Sequence, residues 1–146
     1  MKVRNIFLSA AVAVAGLASG CSFSRDWKAA SRQPPPVSDL TGAWIGTWRN
    51  SNNPHTDQLK AVITRVSDTE YQARFKAWWF GIFSGTFDAT LKGRWEGGEF
   101  IFEGTQKVMG WEFTQKGQAN STNFTSEYFS SDYRGSFTME RPAPKP

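Results

Sequence analysis

The residues that could carry acid–base or metal chemistry in this chain are few. The only histidine, His55, stands two positions before Asp57, a spacing that could pair an imidazole with a carboxylate. The pair follows Pro54 in a polar stretch, so we interpret His55 as a surface residue. A nucleophilic serine or threonine needs a base beside it, and His55 is the only imidazole that could serve. A metal site needs several converging ligands, and the sequence shows no such cluster.

Two glutamates could support paired-carboxylate chemistry. Glu96 and Glu99 flank Gly97-Gly98, and a turn there would make them neighbours. Two acids can meet in space from anywhere in a sequence, so this chemistry stays open in principle, but a solvated turn tip explains the pair more simply. No glycine-rich phosphate-binding loop precedes a helix. We therefore expect no catalytic residue, no metal and no cofactor, and we predict that the protein is not an enzyme.

The single cysteine, Cys21, follows a segment with the pattern of a signal peptide. Lys2 and Arg4 precede an uncharged apolar run from Ile6 to Ala18. At about 1.5 Å per residue this run is too short to span a hydrocarbon core of about 30 Å, which argues against the alternative of a transmembrane helix. A lone cysteine cannot form an internal disulfide, which leaves modification, an intermolecular bridge or a free thiol.

The stretch Leu17-Ala18-Ser19-Gly20-Cys21 resembles the lipobox of bacterial lipoproteins. In that family the cysteine is alkylated by diacylglycerol, the peptide is cut before it and the new amine is acylated. Ala18 stands where leucine is commoner. Ser22 stands where the inner-membrane retention signal would be aspartate. The resemblance implies a signal peptide over residues 1–20, lipidation at Cys21 and anchoring in the cell envelope, in the outer membrane if the host has one.

The distribution of charge excludes one class of partner. The chain of 146 residues has a formal net charge of +4, but six of its 17 basic residues lie in the terminal segments. Residues 39–141 hold 11 basic and 12 acidic residues, a net charge of −1. A nucleic-acid surface needs a basic patch on the folded part, so we predict no nucleic-acid partner.

The elements that must position any site are predicted to be strands. Residues 21–38 lack sustained periodicity and end in Pro34-Pro35-Pro36, so we predict a lipidated cysteine and a semi-rigid linker in which Trp27 is an isolated apolar residue. From Leu40 onward, short alternating runs separated by turns predict a domain over residues 39–141, followed by a proline-rich tail over 142–146. Eight runs are predicted as strands: Gly42–Trp48, Gln58–Val66, Glu70–Phe80, Phe87–Trp95, Phe100–Gly104, Gly110–Gly117, Asn123–Phe129 and Gly135–Arg141.

Short links between these runs imply antiparallel neighbours, and a narrow sheet must close or stack to bury its apolar face. The predicted fold class is therefore all-β, a small antiparallel up-and-down barrel of about eight strands, with a two-sheet sandwich as the alternative. The opening Gly42-Ala43-Trp44 is similar to that of lipocalin-like and avidin-like barrels, in which the tryptophan closes the base. The polar loop after Trp48 is longer than in avidins, and no biotin-binding residue is transferred.

The glycine turn at residues 97–98 also predicts a register, because Gly-Gly suits a two-residue type I′ hairpin. Pairing outward from this turn sets bulky side chains opposite glycines on one face and opposite charges on the other. The predicted pairs are Trp95 with Phe100, Arg94 with Ile101, Gly93 with Phe102, Lys92 with Glu103 and Leu91 with Gly104.

The run Lys76–Gly85 (KAWWFGIFSG) is unusually apolar for a hairpin end. The favoured register sets Lys76 opposite Asp88 and leaves a loop over residues 80–84, and a shift by two residues is less favourable. The tip could fold over the barrel end and plug the core, rim a cavity for an apolar ligand, or stay exposed as a contact. The candidate contact tip consists of Trp78, Phe80, Ile82 and Phe83.

The function that these features favour is a binding module for an apolar small molecule or lipid. Its cavity is predicted to be lined from Trp44, Trp48, Phe75, Trp79, Phe87 and Phe102. The alternative is a structural or interaction protein with a filled barrel, which contacts the membrane or an envelope protein through the aromatic tip. In either case the membrane is an expected partner through the anchor.

Overall fold

The computed structural model describes residues 22–52, 55–108 and 110–144, and within them eight antiparallel strands close into a barrel. Each strand pairs with the next along the chain, and the last pairs with the first. The predicted up-and-down barrel is confirmed, and the two-sheet sandwich is wrong. The strands are β1 (Gly42–Asn50), β2 (Thr56–Ser67), β3 (Glu70–Trp79), β4 (Phe83–Glu96), β5 (Glu99–Val108), β6 (Trp111–Ala119), β7 (Asn123–Phe129) and β8 (Arg134–Glu140).

Alternation in the sequence decides which side chains fill the interior. In β3, Tyr71, Ala73, Phe75 and Ala77 are buried, while the residues between them are partly exposed. A strand places successive side chains on opposite faces, so this pattern turns one face to the core. Closure leaves no strand edge unpaired, and the barrel core lies within the described residues. We therefore expect residues 22–146 to fold without the segment before them.

The β4–β5 hairpin has the predicted register from Lys92–Glu103 to Glu96–Glu99. Gly97 and Gly98 both have positive φ, at 57° and 82°, as a type I′ turn requires. The ladder ends at Lys92–Glu103, so the predicted pair of Leu91 with Gly104 is not part of it. A side chain at Gly93 would collide with the carbonyl oxygen of Ile101, which explains the glycine there.

The β3–β4 register differs from the predicted one by two residues. Arg74, and not Lys76, pairs with Asp88, and the loop between the strands shortens to residues 80–82. Phe80 and Gly81 have φ of 54° and 71°, and the Ile82 N–H donates to the Trp79 carbonyl over 3.1 Å. This tight turn brings Asp88 to 3.7 Å from the Arg74 guanidinium. The observed register keeps a favourable charge pair, as the predicted one did.

Trp44 closes one end of the barrel, which we call the base. Its ring is fully buried, and its Nε1 donates to the Leu40 carbonyl over 2.8 Å. The Arg141 guanidinium lies 4.0 Å from the centre of the Trp44 ring and donates to the carbonyl oxygens of Thr41, Asp39 and Ser121. Burial lowers the pKa of Arg141 to about 10, which still leaves it charged at neutral pH.

A helix over residues 22–31, called α1 here, occupies part of the segment predicted as a linker. Phe23, Trp27 and Ala30 lie on one of its faces and pack against the outside of the barrel at Ala43, Ile45 and Val62. The Trp27 Nε1 donates to the Trp44 carbonyl over 3.0 Å. The interpretation of Trp27 as an isolated residue is wrong, because a spacing of four and then three residues forms a helical stripe.

Candidate functional site

The loops β1–β2, β3–β4, β5–β6 and β7–β8 share the end opposite the base, because consecutive strands run in opposite directions. This end is called the mouth here. A cavity of about 410 Å³ opens at the mouth, and most of its lining is aromatic. The aromatic residues are Trp48, Trp79, Phe87, Trp111, Phe113, Tyr128, Tyr133 and Phe137, and Ala77, Asn50 and Gln106 complete the lining.

Three of the six predicted lining residues, Trp48, Trp79 and Phe87, line the cavity. The other three lie deeper, in the packed core, and do not line it: Trp44, Phe75 and Phe102. Here side chains from strands that are not adjacent in the barrel meet. The Phe75 ring lies 5.3 Å from that of Phe137, and the Phe102 ring lies 5.2 Å from that of Phe124. The interior of an eight-stranded barrel is just wide enough for side chains to fill.

The lining residues on β5 to β8 were not predicted from the sequence. Gln106 could have been found, because alternation from the predicted β4–β5 register carries the inward face from Phe100 and Phe102 to Gly104 and Gln106. Phe113 and Phe137 also alternate with polar neighbours. This alternation is a weaker indication of an inward position than that of Gln106, because no predicted register supports it. Tyr133 lies in the β7–β8 connection, where alternation predicts nothing.

The cavity wall is neutral. None of the described side chains that line it is charged, and the Tyr128 hydroxyl donates to the Arg49 carbonyl over 3.1 Å. Burial raises the pKa of Tyr128 to about 12, so this phenol stays protonated near neutral pH. The Trp48 Nε1 donates to the Trp78 carbonyl over 2.8 Å, which fixes one aromatic wall. Such a surface suits an uncharged ligand.

Two buried glutamine side chains interrupt the apolar interior. Gln115 Nε2 donates to Ser126 Oγ over 2.7 Å. The Oε1 atoms of Gln106 and Gln115 are buried without a hydrogen-bond partner among the described residues. A buried polar group left unpaired costs roughly 1–3 kcal/mol. Of these two side chains, Gln106 is the one that lines the cavity.

The candidate contact tip divides into two parts. Phe80, Ile82 and Phe83 are 66%, 80% and 66% exposed at the mouth, so the tip does not fold over the barrel end. Trp78 is half-buried on the outer wall, 5.7 Å and 5.2 Å from the ammonium groups of Lys60 and Lys76. We therefore restrict the name "apolar tip" to residues 80, 82 and 83.

The other residues that could take part in acid–base or metal chemistry do not line the cavity. His55 is exposed, and its ring lies 6.2 Å from that of Phe80. Glu96 and Glu99 face each other across the glycine turn, where they accept hydrogen bonds from Arg94 and Asn120. No group of three or more metal-ligating side chains occurs among the described residues.

Cys21 and the predicted signal peptide lie outside the described residues. Within the part of the chain that is described, no helix is long and apolar enough to cross a membrane. No protein-family model, curated protein or solved structure matches the chain.

Proposed function

We propose that this protein is a lipid-anchored lipoprotein of a bacterial envelope whose barrel binds an apolar small molecule. The observation that supports binding is the open, largely aromatic cavity of about 410 Å³ at the mouth. Pockets for small ligands typically measure about 300–1,000 Å³ and combine apolar walls with a few polar groups. The packed core below the cavity leaves the mouth as the entry route.

The anchoring part of the proposal is supported by the sequence alone. Cys21 follows an apolar signal-like run and small residues, as in bacterial lipoproteins. A serine at position 22 favours the outer membrane where the host has one. Two or three acyl chains would hold the protein firmly, since a single chain gives only marginal, reversible binding.

The binding proposal is tested with residues 22–146 and Nile red, a neutral dye that fluoresces in apolar surroundings. We expect saturable binding that Ala77→Phe abolishes, because Ala77 lines the cavity and a phenylalanine there would fill it. Trp78→Phe is the matched control, since Trp78 lies on the outer wall of the same strand. Binding that is unchanged in Ala77→Phe would place the dye elsewhere and contradict the proposal.

A second candidate function, contact with a membrane surface, is favoured by the exposure of the apolar tip. Three large apolar side chains project at the mouth, and such patches on soluble domains mark interaction sites. A tip that dips into lipid would place the mouth at the bilayer, where an apolar ligand would enter the cavity. The two functions are therefore compatible.

The membrane contact is tested by sedimentation of residues 22–146 with vesicles of phosphatidylethanolamine and phosphatidylglycerol. Phe80→Ser combined with Phe83→Ser should reduce the bound fraction several-fold, because both side chains are exposed. Trp78→Ser, on the half-buried wall, should change it little. Equal sedimentation of all three proteins would contradict a contact through the tip.

A further inference from the structure

The side chain of Gln106 lines the cavity, and its amide oxygen has no hydrogen-bond partner among the described residues. Gln106 lies on β5 with 5% of its surface exposed, among aromatic residues. Buried polar groups in proteins are nearly always paired, so an unpaired one at a ligand cavity needs an explanation.

Three neighbouring polar groups are already bonded within the protein. The Tyr128 hydroxyl donates to the Arg49 carbonyl, and the Trp48 indole N–H donates to the Trp78 carbonyl. Asn50 Oδ1 accepts from the Asn52 N–H over 3.0 Å. An amide oxygen can only accept a hydrogen bond, so a donor group that reached the buried Gln106 Oε1 from the cavity would complete its pairing.

The absence of charge among the described lining side chains indicates which ligand charge the cavity can accept. None of the described lining side chains is charged, and no lysine or arginine is among them to pair with a carboxylate or phosphate. Moving an ion from water into such surroundings without a partner is strongly unfavourable. We therefore expect the cavity to disfavour a carboxylate, phosphate or ammonium group held among its lining side chains.

We propose that the ligand is a neutral, largely apolar molecule that carries one hydroxyl or N–H group, and that Gln106 Oε1 accepts the hydrogen bond from this group. The inference rests on the proposed binding function and narrows its ligand class. The aromatic walls hold the apolar part, and Gln106 fixes the orientation of the polar group.

Three probes with the same chain length test the proposal on residues 22–146: decan-1-ol, decan-2-one and decanoate. The alcohol donates a hydrogen bond, the ketone only accepts one, and decanoate is an anion at neutral pH. Isothermal titration calorimetry measures each dissociation constant without an optical signal, because an aliphatic ketone absorbs weakly where tryptophan is excited and an aliphatic alcohol does not. The probes differ in hydrophobicity, so the quantity compared is the ratio of alcohol affinity to ketone affinity.

In Gln106→Met, which keeps the length of the side chain and removes the acceptor, this ratio should fall at least about five-fold, as expected for one buried hydrogen bond. Gln118→Met, the same change on an exposed residue of β6, should leave the ratio unchanged. Decanoate should bind more weakly than the alcohol to all three proteins. Gln106→Leu repeats the measurement if the methionine variant does not fold.

The outcomes separate the two proposals. A ratio that Gln106→Met leaves unchanged, or decanoate binding as tight as alcohol binding, overturns this inference while leaving the binding function intact. Failure of all three probes and of Nile red to bind overturns the binding function and this inference with it. A five-fold fall confined to the Gln106 variants supports both.

Discussion

Asp39 and Tyr71 join the chain before β1 to the interior of the barrel at the base. The Tyr71 hydroxyl donates to Asp39 Oδ1 over 2.5 Å, and the Leu40 N–H and the Thr41 hydroxyl donate to the same carboxylate. Burial raises the Asp39 pKa, but these hydrogen bonds outweigh it, so the pKa lies below its usual value of 3.8. Burial and the contact with Asp39 raise the Tyr71 pKa to about 12.

These shifts predict how stability depends on pH. Because the folded-state pKa of Asp39 is depressed, its contribution is present above the unfolded-state pKa and is lost as pH falls through the folded-state value. Tyr71 has a raised folded-state pKa, so its contribution is complete below about pH 10 and is lost as pH rises toward 12. Urea unfolding from about pH 6 down to pH 3 should therefore show a steeper loss in the wild type than in Asp39→Asn.

Asp132→Asn is the control for this measurement, because Asp132 is exposed in the β7–β8 connection. It should keep the wild-type pH dependence. Parallel pH profiles for wild type and Asp39→Asn would contradict the role given to the Asp39 carboxylate.

Helix α1 differs more than any other described element from the structure predicted for its segment, which was a linker. Asp26 lies 3.2 Å from the Arg74 guanidinium, and the Lys60 ammonium lies 4.1 Å from the centre of the Trp27 ring. The first described residue, Ser22, accepts a hydrogen bond from Arg74 over 3.3 Å. If Cys21 carries acyl chains as proposed, the anchor follows directly on a residue in contact with the barrel wall, and not on a long tether.

Trp27→Ala should lower the free energy of unfolding by about 3 kcal/mol, because it removes a buried tryptophan from the helix–barrel contact. It also removes the hydrogen bond to the Trp44 carbonyl. Lys28→Ala, on the exposed face of α1, should change the free energy by less than about 0.5 kcal/mol. Urea denaturation measures both, and an equal, small effect of the two substitutions would show that the helix does not stabilise the barrel.

The turn at the apolar tip carries local strain. Phe80 has φ of 54°, a left-handed conformation that bulky residues rarely adopt. Phe80→Asn should raise the free energy of unfolding by about 1 kcal/mol, because asparagine tolerates this conformation. Gly81→Ala, at φ of 71°, should lower it by a similar amount, roughly 1 kcal/mol.

Thermal and urea unfolding of both tip variants check the prediction. A Phe80→Asn variant that is less stable than the wild type would mean that the Phe80 side chain stabilises the fold. In that case the contact between the rings of Phe80 and His55 would be the candidate source of the stabilisation. The predicted gain would instead mean that the sequence keeps a phenylalanine at the mouth at a cost in stability, as expected of a contact residue.

How far the sequence predicts these elements depends on local chemistry. Gly97-Gly98 determines the β4–β5 register, because two glycines favour one turn geometry and the charge pair Lys92–Glu103 agrees with it. The predicted β3–β4 register was wrong because the actual turn places Phe80 at positive φ, which bulky residues rarely adopt. The helix was missed because four apolar residues in ten, one of them the exposed Ala29, give a weak periodic signal, and packing against the barrel stabilises it.

At the scale of the whole molecule, the barrel is filled at its base and open at its mouth. Alternation predicts which side chains of a regular strand point inward, as it did for the buried Tyr71, Ala73, Phe75 and Ala77 of β3. Alternation does not predict how high each residue lies along the barrel axis, because strand tilt and stagger determine that height. Trp44, Phe75 and Phe102 were therefore placed in the cavity and lie in the core, whereas Trp48, Trp79 and Phe87 line the cavity.

The position of the apolar surfaces indicates the end of the barrel through which a ligand would enter. The cavity, the apolar tip and the exposed rings of Trp111 and Tyr133 all lie at this end, and both ends of the barrel sequence lie at the base. A ligand that approached this end would meet an apolar rim before it entered the aromatic cavity. The filled base would keep it from passing through.

The most direct test of the central claim, that the cavity holds an apolar ligand, is native mass spectrometry of residues 22–146 purified from the protein's own host. The binding proposal predicts a second species that is heavier by one small neutral molecule, and it predicts that Ala77→Phe loses this species while Trp78→Phe retains it. A wild-type spectrum with only the mass of the polypeptide, even after incubation with a lipid extract of the host, would contradict the claim.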